Sequence, residues 1–111
     1  MKIIWCTDIH LNFVDLFKLN SFCRKITSLK PDVVLVPGDV NSSLAGALAA
    51  HRCGVLIAHL ESGLRSRDRD MPEEVNRILI DQISDFHFVT ENSGMNNLCE
   101  EGLISSSDDP K

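Results

Sequence analysis

Short apolar runs alternate along this chain with stretches in which apolar positions recur every three to four residues. That alternation is the pattern of strands separated by amphipathic helices. Residues 2–6 read as a buried strand and residues 14–26 as a helix that stops before Lys30-Pro31. Val33-Val34-Leu35-Val36 is a continuous β-branched run, as a parallel strand covered on both faces should be. Asn41 or Ser42 can cap the Ala- and Leu-rich helix that follows to about Arg52, and Gly54 leads from it into a strand at 55–59. Pro72 suits the first helical position of a segment running to about Ser84. A fourth strand at 86–89 is followed by Thr90 as N-cap of a helix ending near Gly102. Strand-helix repeats of this kind predict an α/β fold: a three-layer, Rossmann-like parallel sheet with helices on both faces.

A chain of 111 residues supports a single domain, here expected over residues 1–104, with a polar tail at 105–111. Hydrophobic residues make up 43% of it, which suits a globular chain rather than a disordered one. No apolar run reaches the length of a membrane span and the first residues lack signal-peptide features, so the expectation is a cytoplasmic protein without a membrane partner. The cysteines at 6, 23, 53 and 99 are scattered, without a C-x-x-C pair, which argues against a zinc knuckle. Charge is uneven: residues 1–55 carry six Lys/Arg and four Asp/Glu, residues 56–111 five and twelve. An acidic half without a basic stripe excludes a nucleic-acid surface as the expected function.

Three acids fall where an apolar run gives way to a turn or opens a helix: Asp39, Glu61 and Glu73. In an open α/β sheet such positions line one crevice at the carboxyl ends of the strands. Taken singly, each has a plainer reading. Asp39 can cap the next helix, Glu61 can pair with Arg65 on the surface, and Glu73 sits where the helix macrodipole favours negative charge. Shared placement favours a site. Arg65, Arg67, Arg69 and Arg77 could hold phosphate or balance the acids, and neither G-x-G-x-x-G nor G-x-x-x-x-G-K-[ST] is present. Asp8 and His10 after the first strand, with Asp39 and Asn41 after the second, are an alternative, metal-ligand set, incomplete for a two-metal hydrolase.

The stretches Gly38-Asp39-Val40-Asn41-Ser42-Ser43-Leu44-Ala45, Ala58-His59-Leu60-Glu61-Ser62-Gly63-Leu64-Arg65-Ser66, Met71-Pro72-Glu73-Glu74-Val75-Asn76-Arg77 and Ile83-Ser84-Asp85 carry a resemblance. From about residue 31 to 102 the chain resembles the central part of the non-hydrolysing UDP-N-acetylglucosamine 2-epimerases, with Ser62 where alanine is usual. Residues 1–30, through Asp8-Ile9-His10, resemble instead the opening of a calcineurin-like metallophosphoesterase. The first resemblance implies part of the N-terminal domain of a GT-B-like, two-domain enzyme that interconverts UDP-GlcNAc and UDP-ManNAc. It implies Asp39, Glu61 and Glu73 as catalytic acids, His59, Arg65, Asn76 and Arg77 as substrate-binding residues, a UDP-sugar partner and homodimeric full-length relatives. It calls for no metal or nicotinamide cofactor. The family's Gly-Thr-Arg-Pro-Glu loop and second domain have no counterpart here, so little or no turnover is expected from this chain alone. The alternatives are a phosphoesterase fragment built on Asp8, His10 and Asp39, or a non-catalytic α/β module.

Overall fold

A computed structural model describes residues 1–5 and 16–105, with side chains of 16–19 left aside. Over them run β1 (Ile3–Trp5), α1 (Leu16–Leu29), β2 (Val33–Pro37), α2 (Asn41–Arg52), β3 (Leu56–Leu60), α3 (Pro72–Ile83), β4 (Phe86–Phe88) and α4 (Asn92–Glu100). Asp8, His10, the predicted start of the first helix and tail residues 106–111 lie outside the described residues.

All three strand pairings are parallel, in the order β1-β2-β3-β4. The expected Rossmann-like parallel α/β sheet is therefore present. Among the described residues α1 packs on α2 and α2 on α3, so these three helices form one layer on one face. Topology explains their placement. Right-handed crossovers that always advance to the next strand in one direction lay their helices on the same side. A second layer requires the strand order to reverse, and among the described residues it does not.

Burial follows this arrangement. On the helix side, Val34, Val36 and Ile57 are completely buried and pack with Ile26 of α1, Leu44, Ala47 and Ala50 of α2, and Ile80 of α3. The small residues of α2 let it lie close to the sheet between its two neighbours, so Ser42 to Ala47 are all buried. On the other side Ile3, Trp5, Leu56, Phe86 and Phe88 remain 45–56% exposed. Period-2 alternation had been hidden in the sequence because both faces are apolar.

Two predicted caps are corrected. α2 begins at Asn41 with Val40 as N-cap and no side-chain cap bond; Asn41 Oδ1 instead accepts from Asn76 Nδ2 of α3 at 2.9 Å. α4 takes Glu91, not Thr90, as its N-cap, again without a side-chain bond. Pro72 opens α3 as expected. Ile57 lies at the centre of the covered face, paired with Val34. Ile57→Ala should cost about 2–5 kcal/mol through lost burial and the cavity left behind, read as a lower urea midpoint with unchanged m-value.

Candidate active site

The carboxyl ends of β2 and β3 place two of the predicted acids side by side. Pro37 and Leu60 are register partners at the last rung, Glu61 follows Leu60 directly, and Asp39 follows Pro37 by two residues. Neighbouring strands lie about 4.8 Å apart, so both acids share the rim. Glu73 lies in the first turn of α3, one helical turn before Arg77, whose Nη2 donates to Asp39 Oδ2 at 2.5 Å. Arg77 Nη1 also lies 3.2 Å from Glu74. Among the described residues neither Glu61, which is exposed, nor the half-buried Glu73 takes part in a hydrogen bond or ion pair. Asp39 is thus tethered, and the Glu61 and Glu73 carboxylates are not.

Glu61 has a left-handed backbone, φ +63°, which costs a non-glycine residue on the order of 1–2 kcal/mol. What holds it there is the next stretch of chain. Ser62 N donates to Phe88 O of β4, Gly63 N to Asp81 Oδ2, and Asn97 Nδ2 of α4 to Gly63 O. Gly63 itself sits against Gly94 so closely that a Cβ would lie 2.4 Å from the Gly94 carbonyl oxygen, and its φ is +83°. The loop after β3 is a fixed mount for Glu61.

Asp81 is the centre of that mount. Its side chain is fully buried and accepts four hydrogen bonds. His59 Nδ1 and Ser62 Oγ donate to Oδ1 at 2.5 and 2.6 Å; Gly63 N and Arg65 Nη1 donate to Oδ2 at 3.1 and 2.8 Å. Ser62 Oγ in turn accepts from His87 Nδ1 at 2.8 Å, which fixes that ring's tautomer. His59 Nε2 faces the Gly38 carbonyl at 2.9 Å, so both of its ring nitrogens face oxygen partners. Arg65, its side chain 4% exposed, continues to Glu101 at 2.7 and 2.5 Å.

The residues expected to bind substrate therefore stand inside the frame. His59 and Arg65 face Asp81, Asn76 bridges Asp39 O and Asn41, and Arg77 holds Asp39 and Glu74. Reasoning from sequence missed Asp81 and Glu74. Glu74, also buried, accepts the N–H groups of Ser66 and Arg67, both at 2.9 Å. The available signal was an acid interrupting the apolar run Ile78-Leu79-Ile80 to Ile83. Beside the rim, past the end of β4, a cavity of about 440 Å³ is lined by Thr90, Glu91, Asn92, Met95, Asn96 and Cys99 among others.

With this geometry in place, comparison with known proteins is decisive. The sequence model of the family described as UDP-N-acetylglucosamine 2-epimerase matches residues 18–107. The chain belongs to that family. The match begins inside α1 rather than at residue 31, so most of that helix goes with the family portion. Over 74 residues, 67% of this chain, it is 57% identical to the UDP-N-acetylglucosamine 2-epimerase of Methanococcus maripaludis, covering 20% of that protein. It is 58% identical over the same length to the UDP-2,3-diacetamido-2,3-dideoxy-D-glucuronate 2-epimerase of Pseudomonas aeruginosa, covering 21% of it. The structure of the Methanocaldococcus jannaschii UDP-GlcNAc 2-epimerase in complex with UDP-GlcNAc and UDP aligns with a TM-score of 0.69 at 45% identity, over 81% of this chain and 26% of that one. The chain thus spans about a fifth to a quarter of these relatives, and in the family fold it forms four parallel strands of an α/β domain.

The frame of this epimerase-family chain is electrostatically tight. Burial by itself would raise the Asp81 carboxyl, but hydrogen bonds from His59 and Ser62, the His59 charge and the Arg65 guanidinium outweigh it and hold the group down to about 2. Burial acts the same way on Glu74 and is likewise outweighed, by the Ser66 and Arg67 N–H groups and Arg77, so its carboxyl is lowered. Burial pushes the His87 imidazole below its ordinary 6.5, despite Asp81 nearby.

The signs separate two pH windows. A depressed carboxyl stabilises the fold above its unfolded value, so the Asp81 contribution is complete above about 3.8 and lost as pH falls toward about 2. A depressed imidazole leaves the unfolded chain binding the proton first, so the His87 contribution declines as pH drops below 6.5. Urea midpoints measured against pH should fall first below 6.5, a phase that His87→Gln removes, and again in strong acid. Asp81→Asn should cost about 3–5 kcal/mol at neutral pH, because it removes the buried charge on which His59, Ser62, Gly63 and Arg65 converge, and should flatten the strong-acid phase.

Proposed function

We propose that this chain supplies the proton-transfer half of a UDP-sugar 2-epimerase site, the substrate being UDP-N-acetylglucosamine and its product UDP-N-acetylmannosamine. One observation carries the reading: Glu61, on a left-handed backbone, follows β3 next to the end of β2 that leads to the tethered Asp39, Glu73 opens the helix whose Arg77 holds Asp39, and neither glutamate side chain has a partner among the described residues. Epimerisation at C2 asks for that equipment. One carboxylate removes the C2 proton as UDP leaves C1, giving a glycal; a carboxylic acid on the opposite side returns a proton to C2, and UDP adds back to C1. Glu61 and Glu73 are the pair assigned to proton transfer, with Asp39 completing the acidic rim. His59, Arg65, Asn76 and Arg77 serve binding indirectly, by fixing the loops on which these acids sit.

The near-equal identity to relatives named for UDP-N-acetylglucosamine and for a UDP-diacetamido-glucuronate supports 2-epimerisation of a UDP-linked 2-acetamido sugar as the shared chemistry. No described helix is long and apolar enough to cross a membrane, and with a nucleotide sugar as substrate we place the activity in the cytoplasm. Alone, the chain offers one wall of a cleft. The loss of substrate orientation is worth about 7–11 kcal/mol at the extreme, so isolated turnover should be negligible.

The test is a transplant. Residues 31–102 replace the aligned segment of the Methanococcus maripaludis relative, and UDP-GlcNAc conversion is followed by ¹H NMR in D₂O. The chimera should epimerise and wash solvent deuterium into C2, and Glu61→Gln or Glu73→Gln within it should each lower kcat by about 10²–10⁴-fold. A folded chimera that binds UDP-GlcNAc yet exchanges no C2 proton would refute the assignment.

A further inference from the structure

We propose that Cys23 and Cys53 form a dithiol site that reduces a small-molecule disulfide and is itself converted to a cross-link between α1 and α2. The inference is independent of the epimerase reading. Cys53 follows α2 and precedes β3, so it lies at the amino ends of the strands, opposite the acids.

The placement of the two sulfurs carries it. Cys53 is the C-cap of α2, and Cys23 lies within α1, the helix packed against it. Both are half-buried free thiols, and both pack on one core cluster that includes Ile26 of α1 and Ala49 and Ala50 of α2. Thr27 joins them. One helical turn beyond Cys23, its Oγ1 donates to Cys23 O at 2.9 Å and lies 3.7 Å from Cys53 Sγ. The Cys53 sulfur is thus seated against the turn of α1 that begins at Cys23. The thiols also act on each other: burial pushes the Cys23 thiol up, Cys53 adds to this, and Arg52 opposes it. Among the described residues no third Cys, His, Asp or Glu joins them, as a closed metal site would require.

A pair of neighbouring thiols exchanges with a small disulfide in two steps. The Cys53 thiolate attacks one sulfur of oxidised glutathione, breaking its S–S bond and releasing one glutathione thiolate. A mixed disulfide is left on Cys53. The Cys23 thiolate then attacks the Cys53 sulfur and releases the second glutathione. Two protein thiols are oxidised, one glutathione disulfide is reduced, and the two protons lost by the protein end on the glutathione thiols. Attack starts at Cys53, since Cys23 holds its proton more tightly than an ordinary thiol. The product closes a loop containing β2 and α2 and fixes α1 to its neighbour. Reduced glutathione reverses it, so the cross-link follows the thiol–disulfide balance around the chain.

The test equilibrates the full chain with graded ratios of oxidised to reduced glutathione, quenches it with acid and alkylating agent, and maps it unreduced by mass spectrometry. The expected product joins Cys23 to Cys53 and leaves Cys99 alkylated. It should form at a ratio roughly tenfold or more lower in the native chain than in concentrated urea, because the fold holds the thiols together. The cross-linked chain should show a higher urea midpoint that dithiothreitol returns to its starting value. Cys23→Ala or Cys53→Ala should leave mixed glutathione disulfide on the remaining cysteine and remove the midpoint shift. Cross-linking no easier in the native chain than in urea, two separate mixed disulfides, pairing with Cys6 or Cys99 instead, or an oxidised chain without a raised midpoint would each overturn the proposal.

Discussion

A carboxylate removed from water must find donors, and the structure around Asp81 follows from that requirement. Four donors converge on it from three places: His59 on β3, the turn at Ser62 and Gly63, and Arg65 beyond. Seven residues earlier, two turns along the same helix, Glu74 does the same for Ser66 and Arg67. α3 therefore holds the loop after β3 at both ends with two buried acids. The loop cannot relax without exposing an unpaired charge, and that is what sustains the left-handed Glu61. An apolar stripe could have buried the helix; it could not have fixed the loop.

This division of labour among acids was only half visible in the sequence. The alternation of strands and helices was legible, because period and turn residues report it locally. Asp39, Glu61 and Glu73 could be placed at strand and helix ends for the same reason: Asp39 and Glu61 follow the neighbouring ends of β2 and β3, and Glu73 lies in the first turn of α3. What sequence withholds is direction. His59 and Arg65 stand beside Glu61 in the chain, yet their side chains run into the sheet toward an acid about twenty residues downstream. Asp81 reads as one more polar helix residue until its partners are known. The caps at Val40 and Glu91 were missed because neither uses a side-chain bond, and Asn41 looked like a cap only because its amide was needed to bridge α2 and α3.

Which elements cover each strand face is a separate matter. A continuous apolar strand announces that both of its faces avoid water, but not what covers them. Here α1, α2 and α3 cover one, since the chain steps across the sheet in one direction. Val33 and Leu35, on the opposite face of β2 from Val34 and Val36, are half-buried. The structure leaves Leu56 45% exposed. At the strand ends the acids differ in the same way: Glu61 is exposed, whereas Glu73 is half-buried and Asp39 is held by Arg77.

The sheet face and the strand ends are geometrically independent. The sheet face presents side chains perpendicular to the strands, whereas the acids project past the strand ends. The helix side is already packed by Ile26, Leu44, Ile57 and Ile80. Stability and chemistry in this fragment thus depend on different faces of one sheet, joined only through the loop that Asp81 and Glu74 hold in place.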